Sequence, residues 1–183
     1  MKRLLLIPLM LLALSSTAQA DSCPDPRDIS TEMDLLLGAV QKARNEGEAR
    51  VFVNQMWHLW RDAPDATAQE LLQDGALRIR ISDYAGAEAI LSHLIDYCPG
   101  YAEGYNQRAF ALFLAGEYER SLSDLDQALA LRPRHVAALA GKVLALQALG
   151  RKDEAQKVLR AALALNPWLP ERHMLLTPPG TEL

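Results

Sequence analysis

The chain has 183 residues, of which 50% are hydrophobic and 23% charged, with 19 Lys and Arg against 23 Asp and Glu. The charges are interspersed and form no basic stripe, which argues against a nucleic-acid partner, because affinity for phosphate backbones needs clustered Lys and Arg. A length of this order is one ordinary domain with ample core.

Lys2 and Arg3 open the chain, an apolar run follows from Leu4 to Leu14, and Ser15, Ser16 and Thr17 lead into Ala18, Gln19 and Ala20. This three-part pattern predicts a secretory signal peptide over residues 1–20, cleaved after Ala20. The apolar run is too short to span ~30 Å of hydrocarbon at ~1.5 Å per residue, and Pro8 interrupts it. Ala20, Asp21 and Ser22 before Cys23 make a poor lipid-attachment signal. The mature chain is expected in a bacterial-type periplasm, with no further membrane span. Loss of Lys2 and Arg3 leaves 17 basic against 23 acidic residues, a net charge of −6.

Residues 21–32 contain Pro24 and Pro26 and read as an extended N-terminal segment. Cys23 and Cys98 remain after cleavage, and an even count in an oxidising compartment points to one disulfide. Two unpaired thiols are the other reading, since sequence does not supply the Cα separation a disulfide demands. A Cys23–Cys98 bond would tie the N-terminal strip across the first two repeats.

From residue 33 a period of 34 governs the chain. Pro99, Pro133 and Pro167 obey it, as do Ser82, Gly116 and Gly150, and Leu91, Leu125 and Leu159. Stepping back 35 residues reaches Gly47, Met56, Leu59 and Pro64, so a degenerate unit precedes the others. Each unit reads as two helices. Tyr105, Ala109 and Leu112 recur at helical spacing in the first, and Gly116 ends it in a left-handed turn. Ser121, Leu125, Ala128 and Leu131 form one face of the second, and Pro133 forbids further helix. Small residues at Ala109, Ser121 and Ala128 let the two backbones approach closely. Thr67 and Glu70 are spaced as a capping box.

This pattern resembles the tetratricopeptide repeat, with Tyr105, Ala109, Gly116, Tyr118, Ala128 and Pro133 on the family's signature columns. The resemblance implies an all-α fold, a right-handed α-solenoid of about four helix-turn-helix units over residues 33–169. These divide as 33–66 (degenerate), 68–101, 102–135 and 136–169, and residues 170–183 form a C-terminal cap and tail. Leu175 and Leu176 are expected to lie on the last helix.

Stacks of this family line a concave groove with the first helix of each unit. The register carries those columns to Leu72, Ala76 and Ile79, to Asn106, Phe110 and Phe113, and to Ala140, Leu144 and Gln147. The Lys, Arg and Asn with which some members clamp a carboxyl terminus are largely missing. An apolar groove implies an amphipathic helix or an extended apolar peptide as partner. The chain's own tail or N-terminal strip is the competing occupant. Trp57 and Trp60, three apart, fit either core packing or a recognition surface.

Little points to chemistry. His58, His93, His135 and His173 are dispersed without a partner at metal-ligand spacing, and read as surface or boundary residues. Asp124 and Asp126 diverge on a helix and read as a solvated face. No enzyme, cofactor or metal site is expected. The sequence points to a periplasmic protein–protein interaction module, an adaptor or scaffold. The alternative is self-association, in which the groove or the repeat ends build a homo-oligomer.

Overall fold

The computed structural model describes residues 22–176; the signal peptide expected over residues 1–20 and the tail from Thr177 lie outside the described residues. The described residues are all-helical. The helices are α1 (Ser30–Gln41), α2 (Glu46–Trp60), α3 (Ala66–Arg80), α4 (Tyr84–Tyr97), α5 (Ala102–Leu114), α6 (Tyr118–Leu131), α7 (Val136–Ala148) and α8 (Lys152–Leu165). A 3-10 turn, Pro170–Met174, follows. The extended strip is shorter than expected, because α1 takes up Ser30, Thr31 and Glu32.

Repeat punctuation sets these boundaries. Ser82, Gly116 and Gly150 have φ of 62°, 82° and 71°, so α3, α5 and α7 each end on a left-handed residue. The next N–H then bonds back across the turn, Asp83 to the Arg78 carbonyl, Glu117 to Leu112 and Arg151 to Leu146, each at 2.9 Å. Ser82 adopts this conformation without glycine's freedom, a cost of roughly 1–2 kcal/mol. Pro99, Pro133 and Pro167 sit two residues past α4, α6 and α8, where they block continuation. At the start of α3 the cap is Asp65, whose carboxylate accepts the Ala68 N–H at 2.8 Å. The Thr67–Glu70 capping box does not form, and both side chains are exposed.

Helices α3 to α8 stack as three consecutive hairpins. Their cores join Ala68, Leu72, Leu91 and Leu94 to Ala111, and Ala109, Leu125 and Ala128 to Val143 and Leu159. Ser121 is fully buried between α5 and α6, donating its hydroxyl to the Ala109 carbonyl at 2.8 Å.

The first hairpin, α1–α2, takes a different place. Its apolar face, with Met33, Leu37, Val40, Met56 and Trp60, packs against Val136, Ala140, Ala162, Leu163 and Leu169 of the last unit. The reason lies in α3. Columns that meet the preceding unit hold Gly104 and Ala111 in α5, and Ala138 and Ala145 in α7, all buried. The same columns in α3 hold exposed Glu70 and Leu77, the latter 47% exposed. A charged, bulky surface cannot receive a stacked hairpin at no cost, so α1–α2 crosses the concave side instead. Gln41 bonds the Ala164 carbonyl at 2.9 Å, and Arg134 pairs with Asp34.

Cys23 and Cys98 form a disulfide with Cα atoms 5.2 Å apart, fastening the strip before α1 to the end of α4. At the other end, the Leu176 N–H donates to the Gln156 side-chain oxygen of α8 at 2.8 Å, as a segment laid on that helix requires, but the side chains of Leu175 and Leu176 are exposed. Met174 packs into the last core instead, and the Gln156 amide donates to its carbonyl at 2.8 Å.

Candidate interaction groove

Between α2 and the inner faces of α3, α5 and α7 lies a concavity of about 560 Å³. One wall carries Val53, Met56, Trp57 and Trp60 from α2. The facing wall carries Ala76 from α3, Asn106, Phe110 and Phe113 from α5, and Ala140, Gly141 and Leu144 from α7. Leu169, Pro170 and Glu171 also line it. Phe110 is 49% exposed there, an aromatic ring open to solvent on an inner surface.

Ala76, Asn106, Phe110, Phe113, Ala140 and Leu144 thus share one concavity, as their columns predict. Leu72 does not line it: the side chain is fully buried against α4, because helix α3 turns that column into its own hairpin. Ile79 also falls outside the lining and packs on the core around α3 and α4, and Gln147 is outside as well. On α2 the sequence offers Trp57 and Trp60 as core or recognition surface but does not single out Val53 and Met56, which complete this wall. The spacing of Met56, Trp57 and Trp60, three, four and seven from Val53, was legible, but a solenoid reading puts α2 in the stack.

Behind one end of the concavity, next to Asn106 and Trp60, lies a buried polar cluster. Glu103, 1% exposed, accepts from Asn106 at 3.1 Å, from Gln107 at 2.6 Å and from His135 Nε2 at 3.0 Å. His135 Nδ1 accepts the Ala138 N–H at 3.3 Å, which places the ring proton on Nε2 and makes the ring the cap of α7. Trp60 stacks on that ring with centroids 4.3 Å apart, and the Tyr101 hydroxyl donates to the Trp60 carbonyl at 2.8 Å. Burial pushes the Tyr101 phenol well above its ordinary value, so it stays a donor. His135 is therefore a buried structural residue, not a boundary one. Trp57 meets Trp60 edge-to-face at 5.3 Å and faces the concavity, so the pair divides between core and groove.

Asp124 is likewise not on a solvated face. It is buried against α5, where the Arg108 guanidinium donates two bonds of 2.7 Å to its carboxylate. That pairing raises the Arg108 pKa further above its ordinary range. Asp126 remains exposed and pairs with Lys142.

A family model for the tetratricopeptide repeat matches residues 112–177. A TPR repeat-containing protein of Rhizobium etli is 30% identical over 148 residues, spanning 81% of this chain and 70% of that one. The chain belongs to the tetratricopeptide-repeat family. Tetratricopeptide repeat protein 36 of Xenopus tropicalis is 34% identical over 122 residues, 63% of this chain and 59% of the relative. Among solved structures, the TPR2B domain of yeast Sti1 in complex with an Hsp70 peptide is 28% identical with a TM-score of 0.53, over 54% of this chain and 78% of that one. The first TPR of Spaghetti (RPAP3) bound to an HSP90 peptide is 25% identical with a TM-score of 0.58, over 59% and 86%. No helix among the described residues is long and apolar enough to cross a membrane.

Proposed function

We propose that this protein is a non-enzymatic interaction module of the periplasm that takes a peptide or helix of a protein partner into its concave groove. The observation that carries the reading is the half-exposed Phe110 beside Phe113, Ala76 and Leu144, an apolar lining on the inner face of a repeat stack. Apolar anchors in a groove are the recognition element of helix and peptide binders, and aromatic residues dominate their hot spots. Similar structures with bound Hsp70 and HSP90 peptides support a peptide-binding role for the fold. The signal-like start and the Cys23–Cys98 disulfide support an oxidising compartment.

The test is affinity capture from periplasmic extract of the native host with wild-type and Phe110→Glu protein. Loss of a specific partner with the variant, at unchanged helical circular dichroism, is the expected result. Full retention of every captured partner would place binding elsewhere. Mass spectrometry of the native protein should find Asp21 at the mature amino terminus, and an intact Met1 would remove the compartment from the proposal.

Self-association is the second reading, favoured by Leu77 at 47% exposure on the unstacked face of α3 and Ile81 at 61% just past its end. Light scattering after size exclusion should then show a dimer that Ile81→Asp dissociates. A monomer at all concentrations sinks this reading.

A further inference from the structure

Helix α2 already sits in the groove as a ligand would. Val53, Met56, Trp57 and Trp60 fall at i, i+3, i+4 and i+7, the spacing with which an amphipathic helix fills an apolar groove, and all four line the concavity. Its opposite side, with Arg50, Asn54 and His58, is exposed. At its first residue, Glu46 accepts from Arg172 at 3.1 Å. Arg172 is held in place for that contact, its other amino group donating to the Trp168 and Leu169 carbonyls at 3.0 and 3.1 Å. On the neighbouring rim, Arg134 pairs with Asp34 of α1. Arg172 thus meets a carboxylate in the first turn of α2, and Arg134 meets one in α1.

The seat is also incompletely filled. A solvent-open cleft of about 560 Å³ separates α2 from Phe110, Phe113 and Leu144, so α2 leaves Phe110 half exposed. The hairpin takes no part in the repeat stack, and both its ends are fixed at one corner. The Cys23–Cys98 disulfide holds one, and the short link to Asp65, whose carboxylate accepts the Tyr97 hydroxyl at 2.7 Å, holds the other.

We propose that the external partner is an amphipathic helix with an acidic first turn and apolar residues at i, i+3, i+4 and i+7, and that it takes the seat of α2, which the intact disulfide keeps occupied. The proposal rests on the reading of the groove as an interaction site. Two tethers hold α2 at high local concentration over its seat, and loss of one lowers that concentration in favour of an outside competitor.

The test uses a fluorescein-labelled peptide of residues 46–61 titrated against the full chain, oxidised or as the Cys23→Ser/Cys98→Ser double variant, with fluorescence anisotropy as the readout. The double variant should bind it about tenfold tighter or better than the oxidised protein. Trp57→Ala with Trp60→Ala in the peptide should abolish binding, and Glu46→Lys should weaken it. Equal affinity for the two proteins, or no binding to the double variant, overturns the proposal. Hydrogen exchange supplies a second measurement. Protection should fall in α1 and α2 while α5 to α8 keep theirs; a double variant that loses protection throughout makes the hairpin indispensable core and overturns the proposal as well. If the peptide does not bind but capture of a natural partner still depends on Phe110, the competition idea falls and the groove reading stands. If capture ignores Phe110, both fall.

Discussion

Asp65 serves two helices from one carboxylate, capping α3 through the Ala68 N–H and accepting the Tyr97 hydroxyl from the end of α4. Those bonds, the backbone one first, hold its pKa below the ordinary value of 3.8. A depressed folded-state pKa means the stabilisation is complete above the unfolded value and is lost as pH falls below about 3.8 through the folded one. Asp65→Asn keeps a capping oxygen, so its melting temperature, followed from pH 6 down to about 2.5, should fall less steeply than that of the wild type; parallel curves would contradict the assignment. Asp124 illustrates a different physics. Replacing it with Asn leaves the half-buried Arg108 guanidinium without its charged acceptor, and urea denaturation should register a loss of about 2 kcal/mol.

At the scale of elements, the disulfide encloses both helices of the first hairpin and both of the next, a separation of 75 residues. Closing a loop of that length restricts the unfolded chain by about 4 kcal/mol in the chain-entropy model. Cys98→Ser should lower stability by that order, and reductant should bring the wild type to the same urea midpoint. A midpoint unmoved by reductant would mean that the bond adds nothing. The same hairpin shows how local charge redirects an element. Glu70 and Leu77 stand in α3 where Gly104 and Ala111 stand in α5, so a surface that would otherwise receive a preceding unit is closed to it.

For the whole molecule, the stack of α3 to α8 depends on close contacts between small residues, whereas the groove depends on what is left open. Ala128 is fully buried between α5 and α6. Ala128→Glu forces a carboxylate into that contact and should abolish cooperative thermal unfolding. Phe110→Glu changes a half-exposed side chain and should cost less than about 1 kcal/mol. If both variants melt alike, Phe110 belongs to the core rather than to a binding surface.

The helices α3 to α8, where they stop and how they pair are legible in the sequence, because those features follow from contacts within a 34-residue period. A left-handed residue at Ser82, Gly116 and Gly150, a proline two residues past each second helix, and small residues at Ala109 and Ala128 are local requirements that recur in register. The sequence also sets Phe110 and Leu144 on one inner surface, since they occupy one column of neighbouring units, and Phe113 lies about one helical turn from Phe110. The place of α1–α2 is not legible there. That depends on α2 matching the inner faces of later units, on Trp60 finding His135, and on Arg172 and Arg134 reaching Glu46 and Asp34. None of those pairs is related by the repeat, so no periodicity reports them. The burial of Leu72, His135 and Asp124 was hidden for the same reason: a side chain's partner across a helix interface is set by packing angle and distance, which spacing along one helix does not encode.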